Sequence, residues 1–366
     1  MKIVSTGYAK TRTFNDPGQW LDRISFYTGI LEELAKKNEV ESIEQINYSG
    51  RMERNGVGYH FLNFKNPGSY FPWRQHQYIK KLKPAVVLVN GFIFPLQIMQ
   101  LRFILGNKVK IAVINRAEKP GIGKRKFLQR LADRCVQQYF FASEEMGAGW
   151  IQQGIIANKN KVAAVMQASS PFFVMKKEEA RKKTGITGAP VFLFVGRLDA
   201  NKDPVNILKA FEVFIKQQPL AKLYMIYQAD ELKPEIGKLI AGNRDLQKTV
   251  ELVGGVPHKE MQYWYNSADF IVSGSHYEGS GIAVCEAMSC ACVPILTSIP
   301  SFRKMTGPGN CGLLYEPGNA DALIKILFQT TELDMEKEKA SALQQFEQEL
   351  SFKAIAEKIE HTLASL

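Results

Sequence analysis

Short apolar runs alternate along the chain with longer stretches whose apolar residues recur every three to four positions. In the first half the runs fall at 2–6, 44–48, 59–64, 85–89, 110–114, 138–141 and 162–166. Helical spacing fills 20–37, 69–82, 124–135 and 144–153. The second half has runs at 191–195, 222–227, 250–253, 270–272, 293–297 and 312–315, with helical stretches at 203–217, 257–266, 282–289 and 320–328. Strands alternating with helices in this way predict β-α-β units around parallel sheets. The segment Ala168-Ser169-Ser170-Pro171, followed by a charged stretch, reads as a joint. The expected architecture is α/β: two doubly wound, Rossmann-like domains over 1–170 and 171–350, with a closing helix at 351–366 that packs on one of them, the first being the assignment adopted.

Composition narrows the class. Hydrophobic residues are 45% and charged residues 23%, which excludes a disordered or collagen-like chain. Five cysteines, three of them within 285–292, do not make a disulfide framework, and Cys290-x-Cys292 lacks zinc-site spacing. Buried thiols in a reducing, cytoplasmic setting are expected. Residues 84–101 form an uncharged run of 18, the lower limit for a membrane span. Asn90, Gly91, Pro95, Gln97 and Gln100 interrupt it, so it reads as a strand, a turn and a core helix. The N-terminus shows no basic-then-apolar leader pattern.

The net charge of +11 is unevenly spread. Residues 1–170 carry 25 Lys and Arg against 12 Asp and Glu, whereas 171–366 carry 22 against 24. A basic first half suggests an anionic partner there. No nucleic-acid-binding motif accompanies it. The segment 119–134 places Lys119, Lys124, Arg125, Lys126, Arg130 and Arg134 around Phe127, Leu128 and Leu131 at helical spacing. Such a helix suits an anionic membrane surface, which makes a peripheral position on the inner face of the membrane the expected location.

Ligands of open α/β sheets bind at the carboxyl ends of strands. Two strand-exit loops stand out there. Gly196-Arg197-Leu198-Asp199-Ala200-Asn201-Lys202-Asp203-Pro204 puts two cations beside a helix start, with Asp203 as the expected cap, an arrangement suited to a diphosphate. Ser275-His276-Tyr277-Glu278-Gly279-Ser280-Gly281-Ile282-Ala283-Val284-Cys285-Glu286 runs from a strand through a Gly-x-Gly loop into a helix. A helix starting near Ser280 puts Glu286 about 9 Å along its axis. Two carboxylates there are costly to bury unpaired, and ligand hydroxyls would satisfy them. His276 is expected to be a structural, hydrogen-bonded residue.

The second loop resembles the Glu-x7-Glu motif of retaining GT-B glycosyltransferases, and the first resembles their Gly-Arg-Leu…Lys loop. With Glu251-Leu252-Val253-Gly254-Gly255-Val256, Asn266-Ser267-Ala268-Asp269 and Tyr315-Glu316-Pro317-Gly318-Asn319-Ala320, the chain resembles glycosyltransferase family 4 over about 190–330. The resemblance implies a GT-B architecture with two domains facing each other across a cleft. It also implies a UDP- or GDP-sugar donor on the second domain and a glycan, lipid-linked or other envelope acceptor mostly against the first. Arg197 and Lys202 would hold the diphosphate, Glu278 the donor sugar, and Glu286 the ribose. Gly196, Val256, Ser280, Gly281, Ile282 and Ala283 would complete the nucleotide-sugar site. It implies no metal and no cofactor, and no nucleic-acid partner.

Three departures accompany the resemblance. The loop 114–120 lacks the His found in many relatives, so either Arg116 or Glu118 replaces it or the donor is handled differently. With Arg12, these form the expected acceptor side. The loop after the first strand lacks paired glycines. Ala291 stands where a helix-ending Gly is usual. The competing readings are a degenerate GT-B protein that binds nucleotide sugars without transferring them, and a GT-B phosphorylase. The phosphorylase reading lacks any segment marking a cofactor lysine.

Overall fold

The computed structural model describes residues 1–63 and 71–366. The last residue of the expected strand 59–64 and the first two of the expected helix 69–82 lie outside the described residues. The chain divides into two compact units: residues 1–169 with 352–366, and residues 170–351. The closing helix Phe352–Ala364 thus belongs to the first unit, where it packs on the helix Ser25–Ala35.

The first unit is built on β1 (Lys2–Thr6), β2 (Glu39–Glu44), β3 (Gly50–Arg54), β4 (Val57–Phe61), β5 (Val86–Asn90), β6 (Lys110–Ile114), β7 (Gln138–Phe141) and β8 (Val162–Ala164). They lie in the order β3-β4-β2-β1-β5-β6-β7-β8, all parallel except β3. The expected strand at 44–48 is displaced: β2 ends at Glu44. Its apolar pattern is masked by Glu41, which is buried against His60 Nε2 at 2.7 Å. The β3–β4 hairpin escapes a search for apolar runs because β3 is a charged edge strand, a common guard against edge pairing. Its turn residues Asn55 and Gly56 have φ of 50° and 81°, and Asn-Gly is a favoured two-residue hairpin signal. The expected helix 20–37 is two helices, Pro17–Arg23 and Ser25–Ala35, interrupted at Ile24. Asp16 caps the first through Gln19 N at 2.7 Å.

The second unit holds β9 (Val191–Val195), β10 (Lys222–Ile226), β11 (Val250–Gly254), β12 (Phe270–Ser273), β13 (Val293–Thr297) and β14 (Leu313–Tyr315). All are parallel, in the order β11-β10-β9-β12-β13-β14. Both faces of this sheet carry a packed core, so its central strands read as mostly apolar runs. Along β9 the pleat sends Phe192 and Phe194 into one core with Phe211, Phe214 and Phe270, while Val191 and Leu193 join Tyr265, Ile271, Ala287, Cys290 and Cys292 on the other face. The five cysteines are free thiols. Burial pushes Cys290 up to about 12, which suppresses thiolate chemistry.

The strand order of the second unit reverses direction between β9 and β12, the point where ligands bind in such sheets. In the first unit the same reversal lies between β1 and β5. The loops after these strands are therefore the places to look for chemistry.

Ala291, just past the helix Ile282–Ser289, has φ of 57°, a conformation that favours Gly. Left-handed backbone costs an L-residue about 1–2 kcal/mol, partly offset by the greater unfolded-state freedom of Gly. Ala291→Gly should raise unfolding stability by up to about 1 kcal/mol in urea titrations. A clear loss would mean that packing of the Ala291 methyl outweighs the backbone strain.

Candidate functional site

In the first strand-exit loop, Gly196 follows β9 and the helix Pro204–Ile215 begins eight residues later. Asp199 organises the loop. Its Oδ1 accepts the Lys202 amide at 3.0 Å and its Oδ2 lies 3.0 Å from the Arg197 guanidinium. The Arg197 side chain is 63% exposed. The Lys202 methylenes lie along Gly196, where a side chain would come within 3.4 Å of them. Asp203 occupies the N-cap position with φ of 48°, but its carboxylate does not cap the helix. It accepts Asn206 Nδ2 at 2.7 Å and faces His276 Nε2 at 3.3 Å. The left-handed backbone turns that side chain away from the helix amides, which corrects the capping role expected for it.

The second loop runs from Gly274 to Gly281, and its helix begins at Ile282. Glu286 is thus about 6 Å along the helix axis rather than 9 Å. Gly281 has φ of 51°, and a Cβ there would meet the Phe302 ring at 2.8 Å. Neither of the two helices has a side-chain cap, so amides of their first turns have no side-chain acceptor from the cap residue.

The two loops are stitched together. His276 N donates to Asn201 O at 2.8 Å, and Asn201 Nδ2 donates to Tyr277 O at 3.1 Å. A Cβ on Gly274 would lie 3.0 Å from Lys202 O, a tight contact that Gly avoids. Lys202 Nζ forms an ion pair with Glu278 Oε1, which also accepts Ser275 Oγ at 2.9 Å. A cation from one loop and a carboxylate from the other thus meet at the switch point. Glu278 and Ser280 are half-buried, Ile282 is exposed, and Ala283 is half-buried in the first helical turn. His276 is a loop tie.

Glu286 is only 5% exposed. Its Oε1 lies 2.7 Å from His258 Nε2 and its Oε2 accepts Tyr265 OH at 2.8 Å. Protein donors therefore meet both oxygens, and the expectation that ligand hydroxyls alone would do so is corrected. A carboxylate has about four acceptor sites, so two remain for a ligand. Burial and the neighbouring Glu286 raise the Tyr265 phenol well above its usual range, so it stays a donor. Val256, half-buried beyond β11, packs on the same core face as Tyr265 and Ala287. His258 and Tyr265 were not singled out from sequence. The signal available was the cost of burying Glu286, which demands donors nearby.

Of the three acceptor-side residues, Arg116 and Glu118 share one loop and interact. Arg12 is exposed. Glu118 folds onto its own loop, where its Oε2 accepts the Arg116 amide at 2.7 Å. Arg116 lines a pocket of the first unit. Among the described residues, no three His, Cys, Asp or Glu side chains are grouped to hold a metal ion.

Residues 176–345 match the family described as glycosyl transferases group 1. A GDP-mannose:cellobiosyl-diphosphopolyprenol alpha-mannosyltransferase of Xanthomonas oryzae pv. oryzae (strain PXO99A) is 29% identical over 196 residues, 51% of either chain. A D-inositol 3-phosphate glycosyltransferase of Thermobispora bispora is 27% identical over 148 residues, 38% of this chain and 35% of that one. The chain spans about half the length, or less, of the curated relatives it matches. Among solved structures, Anabaena Alr3699/HepE in complex with UDP superposes with a TM-score of 0.74 at 16% identity, covering 100% of both chains. Sucrose-phosphate synthase (tll1590) from Thermosynechococcus elongatus gives 0.72 at 15%, covering 100% of this chain and 99% of that one. At such identities these structures establish the fold, which is GT-B. The segment 176–345, which carries both strand-exit loops of the second unit, is thus similar to the glycosyl transferases group 1 family, within a chain of GT-B fold.

Proposed function

We propose that this chain is a retaining glycosyltransferase of family 4 that moves a sugar from a UDP- or GDP-sugar to a glycan, lipid-linked or other envelope acceptor. The observation that carries the reading is the Lys202–Glu278 pair at the β9–β12 switch point, held by two interlocked loops. In this reading the donor diphosphate competes for Lys202, and Glu278 turns to the hydroxyls of the donor sugar. Arg197 leaves Asp199 to grip the second phosphate. Glu286, aimed by His258 and Tyr265, accepts the ribose hydroxyls. Amides of Gly281, Ile282 and Ala283 face the phosphates, and Val256 lies beside the base.

Transfer builds positive charge at the anomeric carbon and negative charge on the departing diphosphate. Fixed cations and amides stabilise the latter, a role that needs no metal ion. Alr3699/HepE is described in complex with UDP and with UDP-glucose, and the Xanthomonas relative's name gives GDP-mannose, which supports a nucleotide-sugar donor. The first unit takes the acceptor, with Arg116 facing it. Incubation with a panel of UDP- and GDP-sugars should release the nucleoside diphosphate slowly and sugar-dependently. Tight binding without release would mark a nucleotide-sugar binder instead.

We further propose that the first unit docks on anionic membrane. In the helix Gly123–Asp133, Gln129, Ala132 and Asp133 face the core, while Leu128 and Leu131 are half-buried. Phe127 is 61% exposed and Ile122 is 86% exposed, beside exposed Lys124, Arg125 and Arg130. Apolar side chains ringed by cations suit a lipid interface, each nearby cation contributing about 1 kcal/mol. The protein should co-sediment with anionic vesicles at low salt, release at high salt and ignore neutral vesicles. Changing Lys124, Arg125 and Lys126 to Glu should abolish this without loss of nucleotide affinity. Equal indifference to both vesicle types would leave the patch as a solubility feature.

A further inference from the structure

The first unit has its own pocket of about 220 Å³, at the carboxyl ends of the strands flanking its switch point. Gly7 and Ala9 follow β1, Glu44 and Gln45 end β2, Asn90 ends β5, and Arg116 follows β6. Trp20 and Tyr27 give it aromatic walls. By the rule that located the loops of the second unit, this is the position for a ligand in this sheet.

Its charged groups are held in place but not paired with each other. The Arg116 guanidinium lies 4.3 Å from the centroid of the Tyr27 ring. It donates to Asn90 Oδ1 at 2.7 Å and to Gln167 O at 2.9 Å. Asn90 is fixed in turn by Ser5 Oγ at 3.1 Å and Tyr27 OH at 3.2 Å. Glu44 accepts Trp20 Nε1 at 3.0 Å and Ser42 Oγ at 2.8 Å. Each of these hydrogen-bond partners is neutral, and Arg116 feels Glu44 and Glu118 only through space as charges. Burial lowers the Arg116 pKa and raises that of Glu44, so both charges are held against a desolvation cost. A scaffold gains little from two such charges kept apart in a pocket. A ligand carrying complementary groups gains from both.

We infer that this pocket binds a single sugar ring bearing an oxyanion, with Arg116, backed by Tyr27, on the anion, Glu44 on ring hydroxyls, and Trp20 against an apolar ring face. The volume is below the roughly 300–1,000 Å³ of drug-sized sites, which fits one ring and not an oligosaccharide. This deepens the acceptor reading above and rests on it: the acceptor would present an acidic sugar, as a uronate or a sugar phosphate, to the first unit.

The test is saturation-transfer NMR and calorimetry on the full chain, without nucleotide, using glucuronate, glucose 1-phosphate and glucose. Either anionic sugar should bind at least tenfold more tightly than glucose, and which one binds separates a carboxylate from a phosphate source. Arg116→Gln should lose that preference. Arg116→Lys, which keeps the charge but not the planar fork, should weaken it several-fold, and Glu44→Gln should weaken binding of the sugar ring. Affinity for UDP and GDP, measured in parallel, reports on the second unit. If that fails while acidic sugars bind, the donor reading is wrong and the pocket stands. Glucose binding as well as the acidic sugars, no binding by any of the three, or an unchanged preference in well-folded Arg116→Lys overturns the inference.

Discussion

Lys202→Ala should lower turnover by about 10²–10³-fold, the usual cost of removing one stabiliser of developing transition-state charge. The effect should appear in kcat, because the leaving diphosphate is more negative in the transition state than in the bound donor. Removing the ammonium leaves Glu278 with Ser275 as a hydrogen-bond partner in a half-exposed loop, so the fold should survive. Arg197→Ala should act in the same direction. Its exposed guanidinium pairs with Asp199 across the loop, so stability should barely change. Steady-state kinetics with thermal unfolding of each variant checks both points. Near-normal turnover in both would remove the diphosphate from these loops.

The second large effect is expected at Glu286. A hydrogen bond to a charged group contributes about 1.5–3 kcal/mol, so losing the ribose contact should weaken nucleoside diphosphate binding by roughly 10- to 100-fold. Glu278→Ala should spare the free diphosphate and weaken the complete donor. Glu286→Ala carries a further cost. It strands the Tyr265 hydroxyl in the core, and an orphaned buried donor costs about 1–3 kcal/mol. Glu286→Gln keeps the shape and one acceptor oxygen, so it separates binding from stability. Calorimetry with the free diphosphate and with the donor distinguishes the two glutamates. A Glu286→Gln variant that is stable and binds the diphosphate like wild type would contradict the ribose role.

The second unit was the more readable from sequence, for a physical reason. Its strands are buried on both faces and so appear as unbroken apolar runs such as 191–195 and 293–297. The first unit hides more. β2 carries the buried Glu41, and β3 is a charged edge strand. Both defeat a search for apolar runs, and the hairpin signal of Asn55-Gly56 after β3 was passed over. Motif spacing identified Lys202 and Glu278, but only folding shows them in contact, because 76 residues separate them. The partners of Glu286 come from a different helix and loop, at separations of 21 and 28 residues, where periodicity says nothing. Ala291 shows the reverse case: an irregular residue at a helix end was legible as a backbone requirement before the φ of 57° was known.

The central claim is that the loops after β9 and β12 bind the diphosphate of a nucleotide sugar. Titration calorimetry of UDP and GDP, into the wild-type chain and into a Lys202→Ala, Glu286→Gln double variant, tests it most directly. One nucleotide should bind the wild type, and the well-folded double variant should bind it at least 100-fold more weakly. Binding of neither nucleotide to the wild type, or equal affinity in the double variant, would contradict the account.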